Sequence, residues 1–201
     1  MTAKVFIDGD VGTTGLQIRA RLEGRRDVTL LRLPENARKD KTARAERLNG
    51  ADVSILCLPD DAAREAVSLI ENSKARVIDA STAHRSLAEW VYGFPEFDSG
   101  QTARIAAASR VSNPGCYAIA TVALLKPLIS DGLIPAGFPL TIQGVSGYSG
   151  GGKSLIESFE NPASPTHTSD AFRLYALGLK HKHVPEMQTR LSLSERPLFV
   201  P

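Results

Sequence analysis

Apolar runs and polar periodic segments alternate over the first part of the chain. Val5-Phe6-Ile7 reads as a buried strand, and a glycine-rich turn over residues 9–15 follows it. Leu16, Ile18, Ala20 and Leu22 give residues 16–23 a helical face, with Gly24 as its stop. Residues 28–33 predict a second strand, and 40–49 a short polar helix ended by Gly50. Residues 53–58 predict a third strand, closed by Pro59. Asp60 or Asp61 can cap a helix through about Ser73, whose apolar face holds Ala62, Ala66, Leu69 and Ile70. Val77-Ile78-Asp79 is a fourth strand. Continuously apolar strands separated by helices predict a parallel sheet covered on both faces, the start of a doubly wound α/β fold.

The rhythm changes after Ser81. A segment with Trp90, Tyr92, Phe94, Pro95 and Phe97 leads to a short strand expected at 104–108. A helix at 114–129, a strand at 140–145 and a second glycine-rich segment follow. A domain change is expected just before Cys116, dividing the chain into residues 1–114 and 115–201.

Composition narrows the function classes. With 201 residues, of which 42% are hydrophobic and 23% charged, the chain can close a real core. No run approaches the roughly 20 apolar residues that span a bilayer, so no membrane partner is expected. The net charge of +2 gives no reason to expect nucleic acid. Met1-Thr2-Ala3-Lys4 passes at once into a strand, leaving no room for a signal peptide, and two cysteines suit a reducing cytoplasm.

The turn Gly9-Asp10-Val11-Gly12-Thr13-Thr14-Gly15 lies between the first strand and the first helix, where dinucleotide phosphates bind. Glycines there allow a tight turn and close approach of the backbone to a pyrophosphate, and the helix start supplies N–H donors. Its spacing is G-x-x-G-x-x-G rather than the usual G-x-G-x-x-G. The second strand ends without a clear terminal acid. Glu35 lies near, but Arg38 and Lys39 suit a 2′-phosphate, which favours NADP(H) over NAD.

Ser112-Asn113-Pro114-Gly115-Cys116-Tyr117 is the most informative segment. Asn113 as cap and Pro114 as first helical residue would put Cys116 in the first turn of a helix. Free N–H groups and the helix dipole there stabilise a thiolate, the nucleophilic form. Cys57, between Leu56 and Leu58 in a strand, reads instead as a small buried thiol.

His181-Lys182-His183-Val184-Pro185-Glu186 offers two imidazoles and a carboxylate, a fit for an acid/base group beside a thiolate. No further cysteine or histidine cluster completes a metal site around the pair, so no metal is expected. His84 and His167 have weaker context and stay unassigned. Residues 147–154 match the phosphate-loop pattern G-x-x-x-x-G-K-S and also contain G-x-S-x-G. An acidic strand end for magnesium is missing, and glycines hold Ser149 away from the strand. What remains is a glycine loop with Lys153, a cradle for an anion.

Taken in order, these segments resemble the N-acetyl-gamma-glutamyl-phosphate reductase family in its shorter-chain type. The resemblance rests on the first glycine turn, Ile78-Asp79-Ala80-Ser81-Thr82-Ala83-His84-Arg85, Tyr92-Gly93-Phe94-Pro95-Glu96, the Cys116 segment, Ser146-Gly147-Tyr148-Ser149-Gly150, and the histidine segment. It implies a Rossmann-like NADP-binding domain over 1–114 and an α+β catalytic and dimerisation domain over 115–201. It further implies a thioacyl intermediate on Cys116, with His183, or else His181, moving the proton and Glu186 orienting it. Gly9, Gly12, Thr13, Thr14, Gly15, Ser81, Ser149 and Gly150 would hold the cofactor. Ser112, Asn113, Ser146, Gly147 and Lys153 would hold the substrate. The implied product is the semialdehyde of arginine biosynthesis, in a homodimer or homotetramer. Aspartate-semialdehyde dehydrogenase is the alternative within the class, and an ATP-binding phosphate-loop protein the alternative outside it. A nucleotide-binding regulatory module without a reactive thiol is a third. The family's chains run longer than 201 residues, so this one, ending at the start of a strand, is expected to be cut short.

Overall fold

A computed structural model describes residues 2–201, which form two compact units, one through Pro114 and one from Gly115 to Pro201. In the first, strands β1 (Ala3–Asp8), β2 (Val28–Leu31), β3 (Val53–Leu56), β4 (Arg76–Asp79), β5 (Val91–Tyr92) and β6 (Arg110–Ser112) build one sheet. Its order is β2-β1-β3-β4-β6-β5, with every pairing parallel. Helices α1 (Thr13–Leu22), α2 (Lys41–Gly50), α3 (Asp60–Ser68) and α4 (Gln101–Ala107) make connections between strands. The chain leaves β1 towards β2 on one side and returns to β3 on the other. That reversal opens a crevice at the carboxyl ends of β1 and β3, where Asp8 is in register with Leu56. Phe6, Leu48, Leu56, Ala63, Ala66, Val77 and Trp90 form the core behind it.

Three expectations need correction here. Residues 104–108 are not a strand. Alanine-rich Gln101–Ala107 is helical, as its propensity favours, and the strand is Arg110–Ser112. Helix α3 ends at Ser68 rather than near Ser73, because Asn49 takes over the backbone beyond it. Asn49 Nδ2 donates to the Leu69 carbonyl, and Oδ1 accepts the N–H groups of Glu71 and Asn72, each at 2.8 Å. Of the α1 face, only Gly15 is buried, while Leu16 and Ala20 are exposed.

The second unit contains α5 (Cys116–Ser130), β7 (Thr141–Gln143), α6 (Gly152–Glu160), α7 (His183–Leu191) and β8 (Leu198–Val200). β7 and β8 pair in parallel as a two-stranded sheet. Ala118, Val184, Met187 and Phe199 form its core, with Tyr117 and Ile142 packed on it. Helix α5 starts two residues later than expected. Gly115 is its cap and Cys116 its first residue. Asn113 does not cap it, because its N–H donates to the Asp79 carbonyl at 2.7 Å and its own carbonyl accepts Arg85 Nε at 2.9 Å. Among the described residues no helix is long and apolar enough to cross a membrane.

Candidate active site

In the first unit, the turn from β1 into α1 is set by close packing. Gly9 has φ +90°, and a Cβ there would lie 2.3 Å from the Cys57 carbonyl oxygen. A Cβ on Gly15 would lie 2.2 Å from the Gly9 carbonyl oxygen, so α1 can dock only with glycine there. Gly12 caps α1 with no side-chain hydrogen bond, and its first turn carries no acidic residue. The first N–H groups of a helix have no partner within it, so this end suits an anion. Thr13 and Thr14 open that first turn.

Beside the turn lies a cavity of about 360 Å³, walled by Gly9, Asp10, Val11, Leu31 and Leu33 and by a basic set that includes Arg19, Arg32, Arg38 and Lys39. Its floor is pinned by a buried ion pair. Arg44 donates through Nε and Nη2 to Asp8 Oδ2 at 3.1 and 2.9 Å, and through Nη1 to Glu65 at 2.9 Å. Burial pushes the Asp8 carboxyl up from its ordinary range, against the pull of Arg44.

Ser81 stands apart from these cavity-lining residues. Its hydroxyl donates to Asp79 Oδ2 at 2.7 Å and its N–H to Oδ1 at 2.9 Å. The same buried carboxylate holds His84 Nδ1 at 2.5 Å, and the His84 ring stacks on Trp90 with centroids 4.1 Å apart. This network ties down the loop after β4. Nothing in the sequence beyond its proximity to Asp79 marked His84 for that task. Ser112 is buried in β6, and Asn113 is exposed at the end of that strand.

In the second unit, the exposed Cys116 is the first residue of α5. Helix α7 reaches back to the residue before it: the Glu186 carboxylate, 1% exposed, accepts the Gly115 N–H at 2.9 Å. Tyr117, next along the chain, packs against the rings of His181 at 6.0 Å, His183 at 5.9 Å and Phe199 at 5.1 Å. The two imidazoles lie 4.6 Å apart. The His183 N–H donates to His181 Nδ1 at 3.1 Å, so the neutral His181 ring carries its proton on Nε2. Burial, with the nearby Lys182 charge, holds the His181 imidazole below its usual pKa.

The Tyr117 hydroxyl donates to Ser146 Oγ at 2.7 Å and also hydrogen bonds Tyr175, whose phenol burial raises above its ordinary value. Tyr117 had no role in the sequence reading, yet it is the wall joining cysteine, histidines and Ser146. Gly144 lies directly against that ring, where a Cβ would come within 2.6 Å of it. Gly147 caps a 3-10 turn, Tyr148–Gly151, that carries Ser149 and Gly150 and leads into α6. Lys153 is exposed in the first turn of α6. The preceding strand, β7, pairs only with β8 among the described residues. Among the described residues no group of three or more His, Cys, Asp or Glu side chains is placed to hold a metal ion.

Residues 23–105 match the family described as semialdehyde dehydrogenase, NAD binding domain, and residues 116–201 match semialdehyde dehydrogenase, dimerisation domain. Among curated proteins, N-acetyl-gamma-glutamyl-phosphate reductase 2 of Pseudomonas putida is 58% identical over 200 residues, covering 100% of this chain and 63% of that protein. The reductase of Chelativorans sp. is 58% identical over 201 residues, covering 100% of this chain and 64% of its own. That of Sinorhizobium fredii is 51% identical over 202 residues, covering 100% and 66%. The chain thus spans a little under two thirds of the length of these relatives, between 63% and 66%. Among solved structures, aspartate semialdehyde dehydrogenase II of Vibrio cholerae, complexed with ASA, shares the fold at TM-score 0.67 and 15% identity, covering 100% of this chain and 70% of that one. The enzyme from Francisella tularensis does so at 0.63 and 14%, covering 99% and 72%. By sequence the chain carries the two semialdehyde dehydrogenase domains and is similar along its whole length to N-acetyl-gamma-glutamyl-phosphate reductases.

Proposed function

We propose that the chain reduces N-acetyl-gamma-glutamyl phosphate to N-acetylglutamate semialdehyde with release of phosphate, a step of arginine biosynthesis, using NADPH. The observation that carries this reading is the exposed thiol at the head of α5, with the residue before it clamped by a buried carboxylate from α7. The names of the relatives supply the substrate class.

Cys116 Sγ, as thiolate, attacks the acyl carbonyl, and inorganic phosphate leaves with the electrons of the broken C–O bond. The product on the protein is a thioester. NADPH, held by the glycine turn of the first unit, would supply the hydride for reduction of this thioester to the thiohemiacetal level. Collapse of the thiohemiacetal returns the thiolate and frees the aldehyde. His183 serves as acid/base group for the proton transfers, with His181 as its neighbour, and Glu186 fixes the start of the helix that presents the sulfur. Covalent attachment separates phosphate departure from reduction, turning one difficult displacement into two easier steps.

The residues of the first unit fit a dinucleotide. The uncapped α1 N-terminus with Gly9, Gly12, Thr13, Thr14 and Gly15 suits its pyrophosphate, and the basic cavity wall suits the 2′-phosphate that distinguishes NADP(H). Ser81, held by Asp79 in the loop after β4, is a further cofactor contact. In the second unit, Ser146, Gly147, Ser149, Gly150 and Lys153 form the anion-binding loop for substrate phosphate and cofactor; Ser112 and Asn113, of the first unit, are further substrate contacts. Residues 1–114 thus act as the cofactor-binding domain and 115–201 as the catalytic and dimerisation domain of a cytoplasmic homo-oligomer.

The test is phosphate-dependent reduction of NADP by N-acetylglutamate semialdehyde, run beside aspartate semialdehyde. Turnover with the first and its loss in Cys116→Ala are expected. Near-full activity in that variant, or preference for aspartate semialdehyde, overturns the assignment.

A further inference from the structure

We infer that Tyr117 is a positioning residue for the reaction: its hydroxyl holds Ser146 in a one-way chain of hydroxyl groups, which leaves the Ser146 proton to be donated to the substrate phosphate. The inference rests on the proposed role of the 146–153 loop in holding phosphate, and gives a task there to a residue that reading does not use.

The direction of the hydrogen bonds comes first. Tyr117 Oη donates to Ser146 Oγ at 2.7 Å. A phenol has a single proton, so in its bond with Tyr175 Tyr117 can only accept. The protons therefore run from Tyr175 to Tyr117 to Ser146. Burial, then the bond to Tyr117 and the charges of Tyr117 and Cys116, raises Tyr175 above the ordinary phenol range, so it stays a donor through neutral pH. Ser146 is exposed and has no second hydrogen-bond partner among the described residues. With its oxygen already accepting, its O–H is directed outward, where it suits an anion and not a cation. Each bond in such a chain polarises the next, which makes the last O–H a better donor.

The placement of Tyr117 ties this chain to the sulfur. Tyr117 directly follows Cys116 at the head of α5, so one side chain joins the loop to the residue beside the thiol. Its ring is wedged against Phe199 at 5.1 Å and His183 at 5.9 Å, which fixes the reach of the hydroxyl. That packing needs only a ring, and phenylalanine would serve it; the hydroxyl is what reaches Ser146. Gly144 gives an independent sign. It follows β7, two residues before Ser146, and is not among the glycines with positive φ, so its backbone would accept another residue. A Cβ there would lie 2.6 Å from Cδ1 and Cε1 of Tyr117, too close for any real contact. The glycine serves the approach of the ring to this segment rather than a turn.

The test is calorimetric binding of inorganic phosphate to the purified chain and its variants, with amide hydrogen exchange over residues 144–151 read by mass spectrometry. Tyr117→Phe keeps the ring and is expected to weaken phosphate about 3- to 10-fold and to speed exchange in that segment. Gly144→Ala, which displaces the ring from the other side, should weaken phosphate at least as much. Added to Ser146→Ala, Tyr117→Phe should cost less than about a further twofold, because its effect passes through Ser146. Tyr175→Phe leaves the Tyr117–Ser146 bond in place and should weaken phosphate less than Tyr117→Phe does. Phosphate binding in Tyr117→Phe equal to that of the parent overturns the inference, as does full additivity with Ser146→Ala. A parent chain that binds no phosphate overturns instead the anion-loop reading beneath it, and unchanged exchange in Tyr117→Phe then overturns the hold on Ser146 as well. Thermal melting of each variant separates lost folding from lost positioning.

Discussion

The buried carboxylate of Glu186 accepts the backbone N–H of Gly115 at 2.9 Å, tying helix α7 to the residue that precedes Cys116. Glu186 therefore positions the proposed nucleophile through the main chain. Replacing it by alanine strands a buried N–H, at a cost of about 1–3 kcal/mol. Glu186→Gln keeps an oxygen acceptor at the same reach. Glu186→Ala is expected to lose stability in urea unfolding and to lower kcat at least about tenfold, with Glu186→Gln recovering most of the stability. Equal stability of the two variants would count against the clamp.

The two cysteines sit in opposite environments. Cys57 lies at the end of β3, where burial, with the negative charges of Asp79 and Asp8, pushes its thiol up to about 11. At pH 8 only about one Cys57 thiol in a thousand is ionised. Cys116 is exposed at a helix start. Iodoacetamide under native conditions is expected to label Cys116 and spare Cys57, as read by peptide mass spectrometry. Comparable labelling of both would contradict this reading of Cys57, which is half-buried rather than the fully buried thiol its neighbours suggest.

His181 links stability to pH. Its folded-state pKa is depressed, chiefly by burial, whereas the unfolded ring titrates near about 6.5. Between the depressed value and about 6.5 the unfolded chain binds more protons, so stability falls as pH falls through that window. His181→Gln removes this contribution. Its melting temperature should drop less between pH 7.5 and pH 5.5 than that of the parent, and an equal drop would remove His181 from the account.

Much of the first unit was legible because local signals agreed. Val5, Phe6 and Ile7 are buried on both faces of a parallel sheet, so they read as an unbroken apolar run, and Asp40 caps α2 by accepting the Ala43 N–H. Failures came where distant groups decided the outcome. Asn49 ends α3 from 20 residues away, and Asp79 and Arg85 hold Asn113 in the end of a strand when its chemistry suits a helix cap. The position of Cys116 at a helix start could be read from its neighbours. The clamp on Gly115 could not, since its acceptor lies 71 residues on. The part played by Tyr117 was hidden for the same reason: it emerges only when α5, α7 and β8 pack around one ring.

Phe199, 1% exposed and set against both Tyr117 and His181, gives the second unit a timetable. Among the described residues, the last strand of the first unit's sheet ends at Ser112. The ring wall of the second unit closes only when Phe199 has been made, on the order of ten seconds later at ordinary rates of synthesis. During that interval a nascent chain holds a formed nucleotide fold and a cysteine helix whose aromatic backing has not yet arrived. Maturation of the thiol's surroundings is therefore governed by β8, not by the helix that carries the sulfur.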